Sequence, residues 1–215
     1  MTVILAGATG LVGGAVAKSL PQDTLTIVTR RAVEGLAAHL LIGAMDEWPR
    51  LIAGQSFDLA ICCLGTTIKQ AGSKEAFAAV DLDGVMAFAA AARSAGARQF
   101  MMVSSVGAQA TASNFYLKTK GQAEAAVQGL GFVRVDIFRP GLLRGNRTGP
   151  ARIGESLAMS VSPLTDMFTP RALDKYRSIA ADTIAKAICA LAGRADEGVF
   201  IHHNRDMLRE ATAIG

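Results

Sequence analysis

Short apolar runs rich in β-branched residues alternate along the chain with longer, alanine-rich segments of helical period. The pattern predicts strands at 3–6, 25–29, 40–42, 59–64, 100–104, 132–138 and 199–201. It predicts helices at 11–20, 74–95, 114–128 and 182–192, with Pro21, Gly96 and Gly129 as stops and Asp182 near the last N-cap. Several strands are apolar throughout rather than alternating, as in strands covered on both faces. Strand–helix alternation of this kind predicts an α/β class: a doubly wound parallel sheet with right-handed crossovers. The chain reads as one domain over 1–215. The stretch 145–178 holds Pro150, Pro163 and Pro170 and little periodicity. It is expected to form a small irregular C-terminal lobe over the sheet edge, either a surface excursion or a cover for a substrate.

Composition narrows the class. With 215 residues, 51% hydrophobic and 19% charged, the chain can bury one core and is not disordered. A net charge of +4 without a dense basic block gives no reason to expect nucleic acid and suits a small polyanionic ligand. Three cysteines at non-ligand spacing suit a reducing compartment and no metal site. The apolar stretch at 85–92 is too short to cross a bilayer, and no basic leader precedes the first strand, so a cytoplasmic protein without membrane contact is expected.

The first candidate chemistry lies between the first strand and helix: Ala6-Gly7-Ala8-Thr9-Gly10-Leu11-Val12-Gly13-Gly14. Gly7 permits a tight turn, Gly10 a close approach to a pyrophosphate, and Gly13 close packing of helix on strand. Thr9, Leu11 and Val12 complete the loop and the helix start, whose free N–H groups favour phosphate. The spacing G-x-x-G-x-x-G is weak alone. Its strand-before, helix-after context makes it a dinucleotide site of Rossmann type. After the second strand stand Thr29-Arg30-Arg31, where an NAD site usually carries an acid. Two guanidinium groups there select a 2′-phosphate, hence NADP(H).

Tyr116 and Lys120 stand at i and i+4 on one predicted helix, a spacing that lets an ammonium tune a phenol for proton exchange. The preceding strand ends in Ser104-Ser105; Ser105 is assigned to the substrate oxygen and Ser104 to the cofactor side. In this order, glycine loop, serine pair and Tyr-x-x-x-Lys, the chain resembles the short-chain dehydrogenase/reductase superfamily over nearly its whole length. It is most similar to an atypical branch, the Tat-interacting-protein-like oxidoreductases. The segments that carry this likeness are Cys62-Cys63-Leu64-Gly65-Thr66-Thr67, Val80-Asp81, Gly107-Ala108, Tyr116-Leu117 with Lys120-Gly121, and Phe138-Arg139-Pro140-Gly141.

The resemblance implies that Leu64, Gly65 and Thr66 line the adenosine side, and that Ser105, Tyr116 and Lys120 form the catalytic set. It also implies that Lys120 bonds the nicotinamide ribose and Pro140 borders the nicotinamide. Asp81 stands where many members carry asparagine, a departure in the proton relay, and Gly43 stands where an acid would meet adenine, with Asp46 later. His202 and His203 are read as packed or exposed rather than metal-bound, Trp48 as a packing residue, and Cys62 and Cys63 as buried, inert thiols.

The leading expectation is an NADP(H)-dependent oxidoreductase acting on a small carbonyl or alcohol. The alternative is an NADP(H)-binding regulatory or scaffold protein. An epimerase or dehydratase comes third, because a nucleotide-sugar substrate needs a larger C-terminal region than the one after Gly141. The small residues of the 74–95 helix lean toward a homodimer.

Overall fold

Seven strands form one sheet: β1 (Val3–Ala6), β2 (Leu25–Thr29), β3 (His39–Ile42), β4 (Leu59–Cys62), β5 (Gln99–Val103), β6 (Arg134–Phe138) and β9 (Gly198–His202). They lie side by side, all parallel, in the order β3-β2-β1-β4-β5-β6-β9. The computed structural model describes residues 1–145 and 175–213. The expected lobe therefore falls largely outside the described residues; at its margins β7 (Leu143–Arg144) pairs in parallel with β8 (Ile179–Ala180).

Successive side chains of each strand point to opposite faces; both faces of the inner strands are buried, while the edge strands β3 and β9 are partly exposed. Leu5, Ile27, Ile61 and Met101 pack against Val12 and Val16 of α1 (Leu11–Ser19) and Ile184 and Ile188 of α7 (Ala181–Leu191). Ile4, Val28, Phe100 and Ile137 pack on the other face against Phe88 of α5 (Val85–Ser94) and Val127 of α6 (Phe115–Gln128). Asn114 caps α6 by accepting the Leu117 amide at 3.1 Å, which sets the phase of the helix that carries Tyr116 and Lys120.

The single helix expected over 74–95 is divided. It runs as α4 (Lys74–Ala78), a π-helical segment at Ala79–Gly84, then α5. A π turn holds an extra residue and rotates the helix beyond it, which the apolar period of alanine cannot reveal. Asp81 sits inside that segment and is fully buried. Two short helices, α2 (Trp48–Ile52) and α3 (Ile68–Ala71), and the C-terminal α8 (Asn204–Thr212) escape the sequence pattern. Trp48 is a packing residue: its indole donates to the Gly43 carbonyl at 3.0 Å and meets Phe88 edge-on.

Below the site, Asp136 in β6 is a buried carboxylate with three partners. Arg134 donates to both of its oxygens at 2.7 and 2.8 Å, Gln99 donates at 2.8 Å, and His202 lies 2.9 Å away. Burial alone would push this carboxyl up, but His202, Arg134 and Gln99 outweigh it and hold it below its ordinary value. The depressed value means the stabilisation is full above the ordinary carboxylate range and is lost as pH falls through the folded-state value. Asp136→Asn removes the buried ion-pair partner of Arg134 and leaves it only the exposed Asp196 carboxylate, 3.4 Å away. The expected loss is about 3–5 kcal/mol at neutral pH, shrinking on acidification, read from denaturant midpoints. An unchanged midpoint would contradict this account.

Candidate functional site

The sheet reverses its winding between β1 and β4, and the crevice at the carboxyl ends of those two strands is where such folds take ligands. The two strands part only after Cys63 has donated its amide to Ala6 at 2.9 Å. Gly7 follows β1 with φ +88, and a Cβ there would stand 2.5 Å from the Cys63 carbonyl. A Cβ on Gly13 would stand 2.2 Å from the Gly7 oxygen. Neither position admits a side chain, so α1 starts in near contact with the strand end. Gly10 is the N-cap of α1, with no side-chain cap and no acid in the first turn. The first amides of Leu11, Val12 and Gly13 thus meet no capping carboxylate, and the positive helix end is open to an anion. Thr9 is exposed in the loop, and Leu11 packs against Gly145. This cradle fits a pyrophosphate.

Beyond β2 the buried Thr29 donates its hydroxyl to the Arg31 carbonyl at 2.9 Å and shapes the turn. Arg30 and Arg31 are exposed, and no carboxylate among the described residues pairs with either. The loop after β4 brings Leu64, Gly65 and Thr66 to the same crevice. The Thr66 amide donates to Asp81 at 2.9 Å, and Gly65 lies against the Lys120–Asp81 pair.

Lys120 is almost fully buried, and its Nζ lies 2.7 Å from Asp81 Oδ1. Burial pulls the lysine down, but Asp81 and then Tyr116 outweigh it and keep the ammonium charged above its ordinary range. Burial pushes the Asp81 carboxyl up, while Lys120 and the Thr66 amide pull against it. At this separation the pair holds one proton, on Lys120. Asp81 is therefore not an inert departure from a pattern: it is the counter-ion of Lys120 and the anchor of the Gly65–Thr66 loop. A buried acid in an alanine-rich helix face is the sequence signal for it, because such a charge requires a partner.

Tyr116 stands one turn ahead of Lys120, half-buried, with its ring 5.5 Å from that of Phe77. Ser105 is half-buried just past β5, and its hydroxyl meets nothing closer than the Val106 carbonyl at 3.4 Å. The hydroxyl of Ser104, the serine the sequence assigns to the cofactor side, donates to the buried Glu124, which Arg139 clamps with two guanidinium nitrogens. Glu124 carries no sequence signal of its role, although it stands four residues after Lys120 on the same helix. Pro140 is buried, and its carbonyl accepts the Val106 amide at 2.9 Å, tying the β6 turn to the serine turn. Gly141 donates to Asn204 of α8 at 3.1 Å.

Cys62 and Cys63 lie beside this crevice. Burial pushes the Cys62 thiol up to about 12 and the Cys63 thiol further, so neither is a nucleophile. His202 belongs to the Asp136 network. Among the described residues no group of His, Cys, Asp and Glu is placed to hold a metal ion.

Comparison with known proteins places this geometry. Residues 3–123 match the NAD dependent epimerase/dehydratase family. Protein FMP52, mitochondrial, of Meyerozyma guilliermondii is 39% identical over 172 residues, 76% of this chain and 74% of that protein. Its namesake in Eremothecium gossypii is 33% identical over 200 residues, 89% of this chain and 88% of that protein. Protein HTATIP2 of Rattus norvegicus is 42% identical over 114 residues, 53% of this chain and 46% of that protein. Among solved structures, MoeE5 in complex with UDP-glucose and NAD superposes with a TM-score of 0.69 at 12% identity, over 100% of this chain and 82% of that one. Human epimerase family protein SDR39U1 with NADPH superposes with a TM-score of 0.64 at 18% identity, over 94% and 74%.

The expectation of a cytoplasmic protein is overturned by these relatives, because the FMP52 proteins carry a mitochondrial designation. Cysteine usage separates reducing from oxidising surroundings and cannot separate two reducing compartments. No described helix is long and apolar enough to cross a membrane. With its glycine cradle at the sheet's switch point and Lys120 facing the same crevice, the chain belongs to the NAD dependent epimerase/dehydratase family, as an NAD(P)-binding protein of the atypical short-chain dehydrogenase/reductase type related to FMP52 and HTATIP2.

Proposed function

We propose that the chain is an NADP(H)-dependent oxidoreductase that acts on a small carbonyl or alcohol. One observation carries this reading: Tyr116 stands one helical turn from an ammonium that Asp81 keeps charged and buried beside the glycine crevice. Gly7, Gly10 and Gly13, with the open amides of α1, would hold the pyrophosphate; Arg30 and Arg31 would hold a 2′-phosphate. Leu64, Gly65 and Thr66 would flank the adenosine, and Pro140 would border the nicotinamide. The cofactor supplies a hydride when bound.

Tyr116 gives its phenolic proton to the substrate oxygen as that oxygen gains charge, or takes it back in the reverse direction. The Lys120 ammonium favours the phenolate that Tyr116 leaves behind. Asp81 in turn keeps that ammonium charged inside the protein. Ser105 offers its hydroxyl to the same substrate oxygen. The Ser104–Glu124–Arg139 chain holds the two turns that present Ser105 and Pro140.

A cofactor-binding protein without turnover is the second reading. What favours it is the same ion pair: a Lys120 ammonium held 2.7 Å from Asp81 is partly neutralised, which weakens its pull on the Tyr116 phenol. Stopped-flow oxidation of NADPH against a panel of carbonyl compounds separates the two.

Calorimetry is expected to show tighter binding of NADPH than of NADH. Arg30→Ala or Arg31→Ala narrows the gap by about tenfold, the worth of one charge-assisted phosphate contact. Equal affinities in the unmodified protein would refute the preference. Tyr116→Phe is expected to cut turnover by about 10²–10⁴-fold while NADPH affinity holds; full turnover in that variant would remove Tyr116 from the mechanism. Asp81→Asn leaves Lys120 buried without its counter-ion and lowers its pKa below the ordinary lysine range. The variant is then destabilised at neutral pH and regains stability as pH rises and the lysine sheds its charge. In the parent protein Lys120 contributes stability that is full below the ordinary lysine value and is lost as pH rises through its raised value, so an alkaline loss and no gain is expected from this pair. Thermal unfolding across pH reads the difference, and parallel curves for the two proteins would contradict the ion-pair assignment.

A further inference from the structure

Behind α6 lies an open cleft of about 460 Å³, a volume in the range of small-metabolite sites. None of the proposed catalytic steps uses it. Its lining residues include chain neighbours of the candidate site: Gly107 lies two residues past Ser105, Gly121 follows Lys120, and Arg139 precedes Pro140. Lys175 and His203 complete it on the C-terminal side.

The charges in this cleft are unequal. Among the described residues its lining carries a single carboxylate, Glu124, which is buried and already holds the Ser104 hydroxyl and two nitrogens of Arg139. That clamp engages Nε and Nη2 and leaves Nη1 of Arg139 unused by Glu124. Lys175 is exposed, with its Nζ 5.2 Å from the Tyr176 ring centre, and no carboxylate among the described residues pairs with it. His203 Nδ1 is shut away from solvent without a hydrogen-bond partner among the described residues. Burial, with the Arg139 and Lys175 charges beside it, depresses the His203 imidazole, while Asp206 on α8 and a hydrogen bond to the Arg139 backbone oppose them.

We propose that this cleft binds the oxyanion end, carboxylate or phosphate, of a small ligand, held among Arg139, Lys175 and His203. Each group has a distinct task. Arg139 is kept extended by Glu124 and presents a fixed donor, Lys175 supplies a mobile charge, and the His203 imidazole borders the anion. The cleft is lined by chain neighbours of Ser105, Lys120 and Pro140 and not by those residues, so the anion site stands independently of the oxidoreductase reading.

The chain has three histidines, His39, His202 and His203, so imidazole resonances report the site directly. Inorganic phosphate and malonate, titrated separately, distinguish a phosphate from a carboxylate ligand. With either probe His203 is expected to shift saturably and its pKa to rise by about one unit, as an opposite charge beside it requires. His39, exposed on β3, is expected to stay in place. Saturating NADPH leaves the response intact, and Lys175→Ala weakens it by about tenfold. The proposal is overturned if neither probe moves His203, if His39 moves equally, if NADPH abolishes the response, or if Lys175→Ala binds as tightly as the parent. Tyr116→Phe retains the response in all cases. Anion binding with no carbonyl turnover would therefore sink the oxidoreductase reading and leave the cleft assignment standing.

Discussion

Backbone meets backbone where β1 ends. The Gly7 carbonyl occupies the place of a side chain on Gly13, and the Cys63 carbonyl occupies the place of a side chain on Gly7. This double contact brings α1 hard against the sheet at the point where the strand order reverses. The open helix end, the crevice and the approach of the Gly65 loop all depend on it. Any Cβ at either position would separate the three segments that form the cradle.

The second constraint is buried charge on α6. Lys120 and Glu124 stand one turn apart on the inner side of that helix, and each is matched from a different element. Asp81 comes from the π segment and Arg139 from the turn after β6. Unpaired, either charge would be costly in this dry interior; paired, the two links fix α6 against the β4 loop on one side and the β6 turn on the other. Gly121 between them admits the 109–110 backbone, which a Cβ would meet at 2.2 Å. The tyrosine therefore rides on a helix positioned by electrostatics as much as by apolar packing. The same pairing engages Ser104, whose hydroxyl donates to Glu124 and ties the turn after β5 to α6.

Most of the sheet was legible because covered strands advertise themselves as unbroken apolar runs. The strands at Val3–Ala6 and Leu25–Thr29 end where turn chemistry begins, so even their limits were readable. Elements shorter than two helical turns were not, because α2 and α3 offer too few residues for a period to show. The division of the 74–95 helix was hidden for another reason. Alanine suits any helical face, so no apolar stripe marks the extra residue of a π turn.

The sequence by itself determined the winding of the sheet, the anion-ready turn after β1, the arginine pair after β2 and the tyrosine–lysine spacing. Each depends on neighbours in the chain, where backbone geometry and local chemistry are enough. Only the tertiary structure decided the partners of the buried charges: Asp81 for Lys120, Arg139 and Ser104 for Glu124, Arg134 and His202 for Asp136. These pairs join residues from separate elements, and a charge seeks whatever opposite group the packed fold brings within reach. No local pattern encodes that choice.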